Sequence, residues 1–122
     1  MVYRLTRAAE EQIDAVLLHS ARTHGLEAAG RYGQLILVTL AALGETPDMP
    51  GSVGVPRLPG IRAYPTRLSR LRVEPSRRVG APRHLVIYRL AANGVVEILG
   101  LAHDRMVLSR AARKIVRDAD ER

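Results

Sequence analysis

The strongest constraint on how this chain folds is a change of hydrophobic period. Up to Gly44 the apolar residues recur at helical spacing, and after Gly60 they alternate with a period of two. Between the two regimes lies "ETPDMPGSVGVPRLPG", Glu45 to Gly60, which holds four of the seven prolines and reads as a loop. Helices gathered before a break and strands gathered after it describe an α+β layer, not an alternating parallel fold.

Before the break, "MVYRL" alternates Val2 and Arg4 with Tyr3 and Leu5 as a short strand does. Thr6 then offers an N-cap oxygen to "TRAAEEQIDAVLLHSARTHG", where Glu10 and Glu11 suit the positive end of the helix dipole. Ala9, Ile13, Val16, Leu17 and Ser20 form its stripe, and Gly25 stops it. The second helix, "LEAAGRYGQLILVTLAALG", carries Ala28, Tyr32, Leu35, Ile36, Thr39, Leu40 and Leu43 on one side. A link as short as the one at Gly25 predicts an antiparallel hairpin.

After the break, "IRAYPTRLSR" reads as a first long strand, with Pro65 marking a bulge or an edge. "RLRVEPSRRVGAP" reads as an arginine-rich loop. "RHLVIYRL" and "VVEILGLA" are strands joined through Asn93-Gly94, a pair favoured in hairpin turns. In "LAHDRMVLSRAAR" Asp104 is the expected N-cap of a last helix spanning about residues 104–118 and Met106 its expected anchor on the sheet. The fold class is thus α+β: an N-terminal strand and antiparallel helical hairpin packed on a mostly antiparallel four-stranded sheet, with a C-terminal helix, as a single domain over 1–122.

With no Phe, Trp or Cys the core must be aliphatic, and neither a disulfide nor a thiolate metal site is available. No segment reads as a membrane span or a signal peptide, so a soluble cytoplasmic protein is expected. Nineteen Lys and Arg against twelve Asp and Glu give a net charge of +7, and Lys114 is the one lysine. A domain this positive suits an anionic partner: nucleic acid or an acidic protein surface. Nine arginines fall between Arg57 and Arg89 against one acid, Glu74.

The order of elements, together with "YRLTRAAEEQIDAV", "AAGRYGQLILVTLAALGETPDMPG", "GIRAYPTRLSR" and "HLVIYRLAANGVVEILGLAHDRM", resembles the RelE/ParE superfamily of bacterial toxins, and most of all its ParE branch. The resemblance runs from Tyr3 to about Leu108. The loop "LRVEPSRRVGAP" is longer than the compact family pattern needs, and its Arg72, Arg77 and Arg78 are expected to be solvated. The resemblance implies a type II toxin with a cognate antitoxin that contacts the exposed sides of the hairpin and a sheet face lined by Arg62 and Arg67. For the ParE branch it implies growth inhibition by binding DNA gyrase, without a reaction of its own. Arg62, Arg67, Arg70, Arg83 and Arg105 are the expected target contacts.

The ribonuclease branch implies the alternative, cleavage of messenger RNA on the ribosome. That chemistry needs a base, an acid and cations at the phosphate. Arg62, Arg67, Arg70 and Arg83 would supply charge, and His103 one proton carrier. A second carrier is missing: Arg is a poor base, His84 reads as a partly buried strand residue, and Glu97 as a paired or solvated carboxylate. His19 and His24 fall on the first helix, and the four histidines show no metal spacing; no metal or cofactor is expected. The incomplete set favours the gyrase reading. A family member that binds its partner without toxicity is a third class.

Overall fold

The computed structural model describes residues 2–121; Met1, in the predicted first strand, and Arg122, at the end of the predicted domain, lie outside them. In chain order the elements are β1 (Tyr3–Leu5), α1 (Arg7–His24), α2 (Leu26–Glu45), β2 (Val53–Gly54), β3 (Ile61–Pro65), two 3-10 helices (Thr66–Arg72 and Pro75–Arg77), β4 (His84–Leu90), β5 (Val96–His103) and α3 (Leu108–Asp120). The sheet order is β1-β5-β4-β3-β2, with β1 parallel to β5 and the other pairs antiparallel. It has one strand more than expected, because Val53 and Gly54 pair with β3 from inside the proline-rich stretch.

Thr6 acts as read. Its hydroxyl oxygen accepts the Ala9 N–H at 3.1 Å, and its own N–H donates to the Ile98 carbonyl at 3.1 Å, so one residue starts α1 and extends the β1 pairing. Gly25, at φ 95°, is the single residue between α1 and α2, a backbone region that side chains with a Cβ disfavour. The hairpin covers one sheet face through Ile36, Leu40 and Leu43 against Val86, Tyr88, Ile98 and Leu101. On the other face Ala112, Ile115 and Ala119 of α3 pack on Ala63, Ile87, Leu99 and Ala102. Apart from Tyr64, Tyr88 and Met49, every large buried residue in these layers is aliphatic, as the composition required.

The β4–β5 pairing contains the detail that shapes the site. From Leu90↔Val96 to Tyr88↔Ile98 the register is regular, but Ile87 then faces Gly100, so Leu99 is an extra residue on β5. Gln12 of α1 secures the bulge: the Leu101 N–H donates to its Oε1 at 2.9 Å, and its Nε2 donates to the Leu101 carbonyl at 2.5 Å. Gly100 leaves the room that this approach needs, since a Cβ there would lie 2.9 Å from Ile115 Cγ2 and against the Gln12 amide.

Three local readings are corrected. The strand predicted through "IRAYPTRLSR" ends at Pro65 and continues as a 3-10 helix, so Arg67 does not line a sheet face. Pro65 has no N–H for a ladder, and the Thr66 hydroxyl donates to the His84 carbonyl at 2.8 Å, which closes the strand. The arginine-rich loop is held by its own side chains: Arg70 Nε donates to the Val79 carbonyl at 2.6 Å, Arg78 Nε to that of Val73 at 2.9 Å, and Arg77 Nε to Gln34 at 2.8 Å. The last helix begins at Leu108 with no side-chain cap. Asp104 is spent elsewhere, on Arg83 and beside His103, because a turn from His103 to Met106 intervenes. Met106 is exposed; Leu108, Ile115 and Val116 dock α3 instead.

Candidate functional site

At the ends of β4 and β5 beneath the hairpin, the bulge sets His103 directly opposite His84. Cross-strand partners share a face. The two imidazoles meet edge to face, with centroids 5.3 Å apart and planes at 83°. Tyr32 reaches down from α2, its ring centroid 5.5 Å from that of His84 and its hydroxyl hydrogen-bonded to His84 Nδ1.

Burial shifts two of these groups, each toward its neutral form. Burial, and then the charge of His103, depress the His84 pKa against a smaller opposing pull from Asp104. Burial raises that of Tyr32, so the hydroxyl keeps its proton. His103 Nδ1 accepts the Arg105 N–H at 3.1 Å, which leaves the ring proton of the neutral form on Nε2. The same Nδ1 lies 3.3 Å from Asp104 Oδ1, a carboxylate that a protonated ring would meet, and Asp104 Oδ2 lies 3.5 Å from Arg83.

A folded pKa below the unfolded one means that the unfolded chain binds the His84 proton more readily. That contribution to stability is complete above about pH 6.5 and declines as pH falls from there toward the depressed folded value. Thermal melts between pH 8 and pH 5 should therefore show Tm falling below pH 6.5, with a shallower fall in His84→Gln. Equal slopes for the two proteins would refute this role.

The pair sits at one end of a groove of about 780 Å³ between the hairpin and the loop from Arg78 to Arg83. Of the expected target residues, Arg83 and Arg105 flank the histidine pair. Arg62 is remote from it, at the β2–β3 edge, its Nε bonded to Ser52 at 2.8 Å. Arg67 is exposed on the 3-10 helix, and Arg70 is tied to Val79. The five do not share one face. Glu97 is paired, with Arg89 at 2.9 Å and with Arg4. Among the described residues no group of three or more His, Asp or Glu could hold a metal ion. Sequence reading missed Tyr32 as a site residue and the contact of His84 with His103; counting back from Asn93-Gly94 was the available signal, but a regular register sets His84 opposite Ala102.

A mixed five-stranded sheet with an N-terminal helical hairpin on one face and a C-terminal helix on the other defines the class as an α+β layer. Over residues 3–108 the chain matches the family model of the ParE toxin of type II toxin-antitoxin system, parDE, and it belongs to that family. A solved structure titled as the chromosomal ParDE TA system from P. aeruginosa is similar at a TM-score of 0.62 and 19% identity, covering 84% of this chain and 95% of that one. Identity that low speaks for the fold. A search of curated proteins gave no significant match.

Proposed function

We propose that this ParE-family toxin arrests growth by binding DNA gyrase and is neutralised by a cognate antitoxin. The observation that carries the reading is the family match, which spans the hairpin and the whole sheet. Binding is the mode of action: guanidinium groups with fixed charge and fork geometry engage the target, and no covalent step is needed. Arg67, Arg83 and Arg105, with exposed side chains, are the foremost contacts, while Arg62 and Arg70 are tied to Ser52 and Val79. Such a target implies action in the cytoplasm. Among the described residues no helix is long and apolar enough to cross a membrane.

Expression without an antitoxin should halt growth, and the purified protein should inhibit gyrase supercoiling in a dose-dependent way. Normal supercoiling at a large molar excess would overturn the gyrase reading.

One observation favours a second reading, a ribosome-dependent endoribonuclease. His84 stands against His103, so a second proton carrier lies beside the first. One ring would take the proton of a ribose 2′-hydroxyl as it attacks the adjacent phosphorus, and the other would protonate the departing 5′-oxygen. Messenger RNA cut in a translating extract, and left whole by His103→Gln, would decide for it.

A further inference from the structure

Of α1, α2 and α3, the last is the most strongly two-sided. Its apolar side, with Ala112, Ile115 and Ala119 buried, packs on the sheet face opposite the hairpin. At about 100° per residue, Arg110, Arg113, Lys114 and Arg117 fall within an arc of about 100° on the side turned away from that contact. All four are exposed. We propose that this basic stripe docks on the phosphate backbone of double-stranded DNA. The inference is separate from the gyrase reading, because the stripe lies across the sheet from the histidine groove and needs no enzyme as its partner.

The neighbouring acids leave most of this charge facing outward. Asp120 is engaged by Arg89 at 2.9 Å, at the flank of the helix. Asp118, on the other flank, lies 4.0 Å from Arg117 Nε, a solvated pair that water screens. Lys114 borders a cleft that also holds Glu11 and Asp118, so the three arginines are the principal cations of the stripe. Glu121, just past the helix, is the one acid on the outward side of α3 among the described residues. From Arg110 to Arg117 the stripe runs about 10.5 Å along the axis. Duplex DNA carries about one backbone charge per 1.7 Å, or roughly six over that length.

What the stripe lacks selects the occupant. A basic amphipathic helix binds a membrane by sinking its apolar face into the lipid, and the apolar face of α3 is already under the sheet. Protein interfaces are built around a core of apolar and aromatic anchors, and the outward arc of α3 carries none. Single strands are gripped by rings on which bases stack, and α3 has no aromatic residue. Duplex RNA has a deep, narrow major groove closed to side chains. The major groove of B-form DNA, about 12 Å wide, admits an α-helix between two phosphate rims. Guanidinium groups suit those rims, because each can hold a phosphate through two parallel N–H donors.

The test uses the full chain and a fluorescein-labelled DNA duplex of about 20 base pairs, with anisotropy titrations at 50 and 200 mM KCl. If the four cations each neutralise one phosphate, Kd should rise about a hundredfold between the two salt concentrations. Arg113→Gln/Arg117→Gln should weaken binding at least tenfold at 50 mM KCl and flatten the salt dependence. Arg110→Gln alone should weaken it at least threefold. Arg72→Gln/Arg77→Gln removes the same charge from the exposed loop and should change Kd less than threefold. All these positions are exposed, and thermal melts should show each variant folded. No binding at 50 mM KCl would overturn the proposal, and equal weakening by the two double variants would replace it with diffuse charge. Tighter binding to an RNA duplex, to a thymidine single strand or to phosphatidylserine vesicles at equal phosphate concentration would overturn it in favour of that ligand. The titrations contain no gyrase, so failure here leaves the supercoiling result untouched, and normal supercoiling leaves this proposal standing.

Discussion

Tyr88→Ala is expected to lower Tm by roughly 10–20 °C, corresponding to about 3–5 kcal/mol for removing a large buried ring. Tyr88 is 1% exposed, at the centre of the layer between sheet and hairpin. Its hydroxyl donates to the Pro47 carbonyl at 2.5 Å and meets the Ser52 hydroxyl, to which Arg62 Nε donates at 2.8 Å. The side chain therefore joins β4 to the proline-rich stretch and, through Ser52, fixes Arg62. Tyr88→Phe keeps the ring and removes these bonds, so a loss of about 1 kcal/mol is expected. Chemical denaturation of the three proteins measures both differences; equal losses in the two variants would show that the hydroxyl network, not the ring, carries the effect.

The second large effect is expected at the bulge. Gly100→Ala places a Cβ against the Gln12 amide and 2.9 Å from Ile115 Cγ2, so the side chain that bonds Leu101 must withdraw or α3 must shift. Overpacking of this kind costs about 1–3 kcal/mol. Because the bulge also sets where His103 points, the imidazole resonances of both His84 and His103 should move in NMR spectra. A stability loss that leaves both sets of resonances in place would show that the bulge tolerates the methyl group and that the site does not depend on it. Gln12→Ala offers a comparison: it empties the same space but leaves the Leu101 N–H and carbonyl without the amide.

Much of the architecture was legible because it rests on local chemistry. Thr6 and Gly25 bound the first helix by capping and by positive φ, and the turn at Asn93-Gly94 joins β4 to β5 with Gly94 at φ 82°. The aliphatic core follows from composition. Where the readings failed, a distant partner had intervened. Asp104 does not cap the last helix because the turn from His103 to Met106 delays that helix to Leu108, and its carboxylate lies instead beside Arg83, 21 positions away. Of the three loop arginines expected to be solvated, Arg72 and Arg77 are exposed, while Arg78 is half-buried because the Val73 and Leu71 carbonyls it binds become neighbours only once the 3-10 turns form.

The sequence by itself determined the α+β layering, the helical hairpin, the β4–β5 hairpin and the positive charge. Periodicity, capping and composition act over a few residues, and these features need nothing more. The site was decided by tertiary structure. In a strand, side chains alternate between faces, so one extra residue reverses every assignment beyond it. Leu99 is that residue: a regular hairpin would turn His103 toward α3, while the bulge, held by Gln12 from α1, turns it toward His84, Tyr32 and the basic groove.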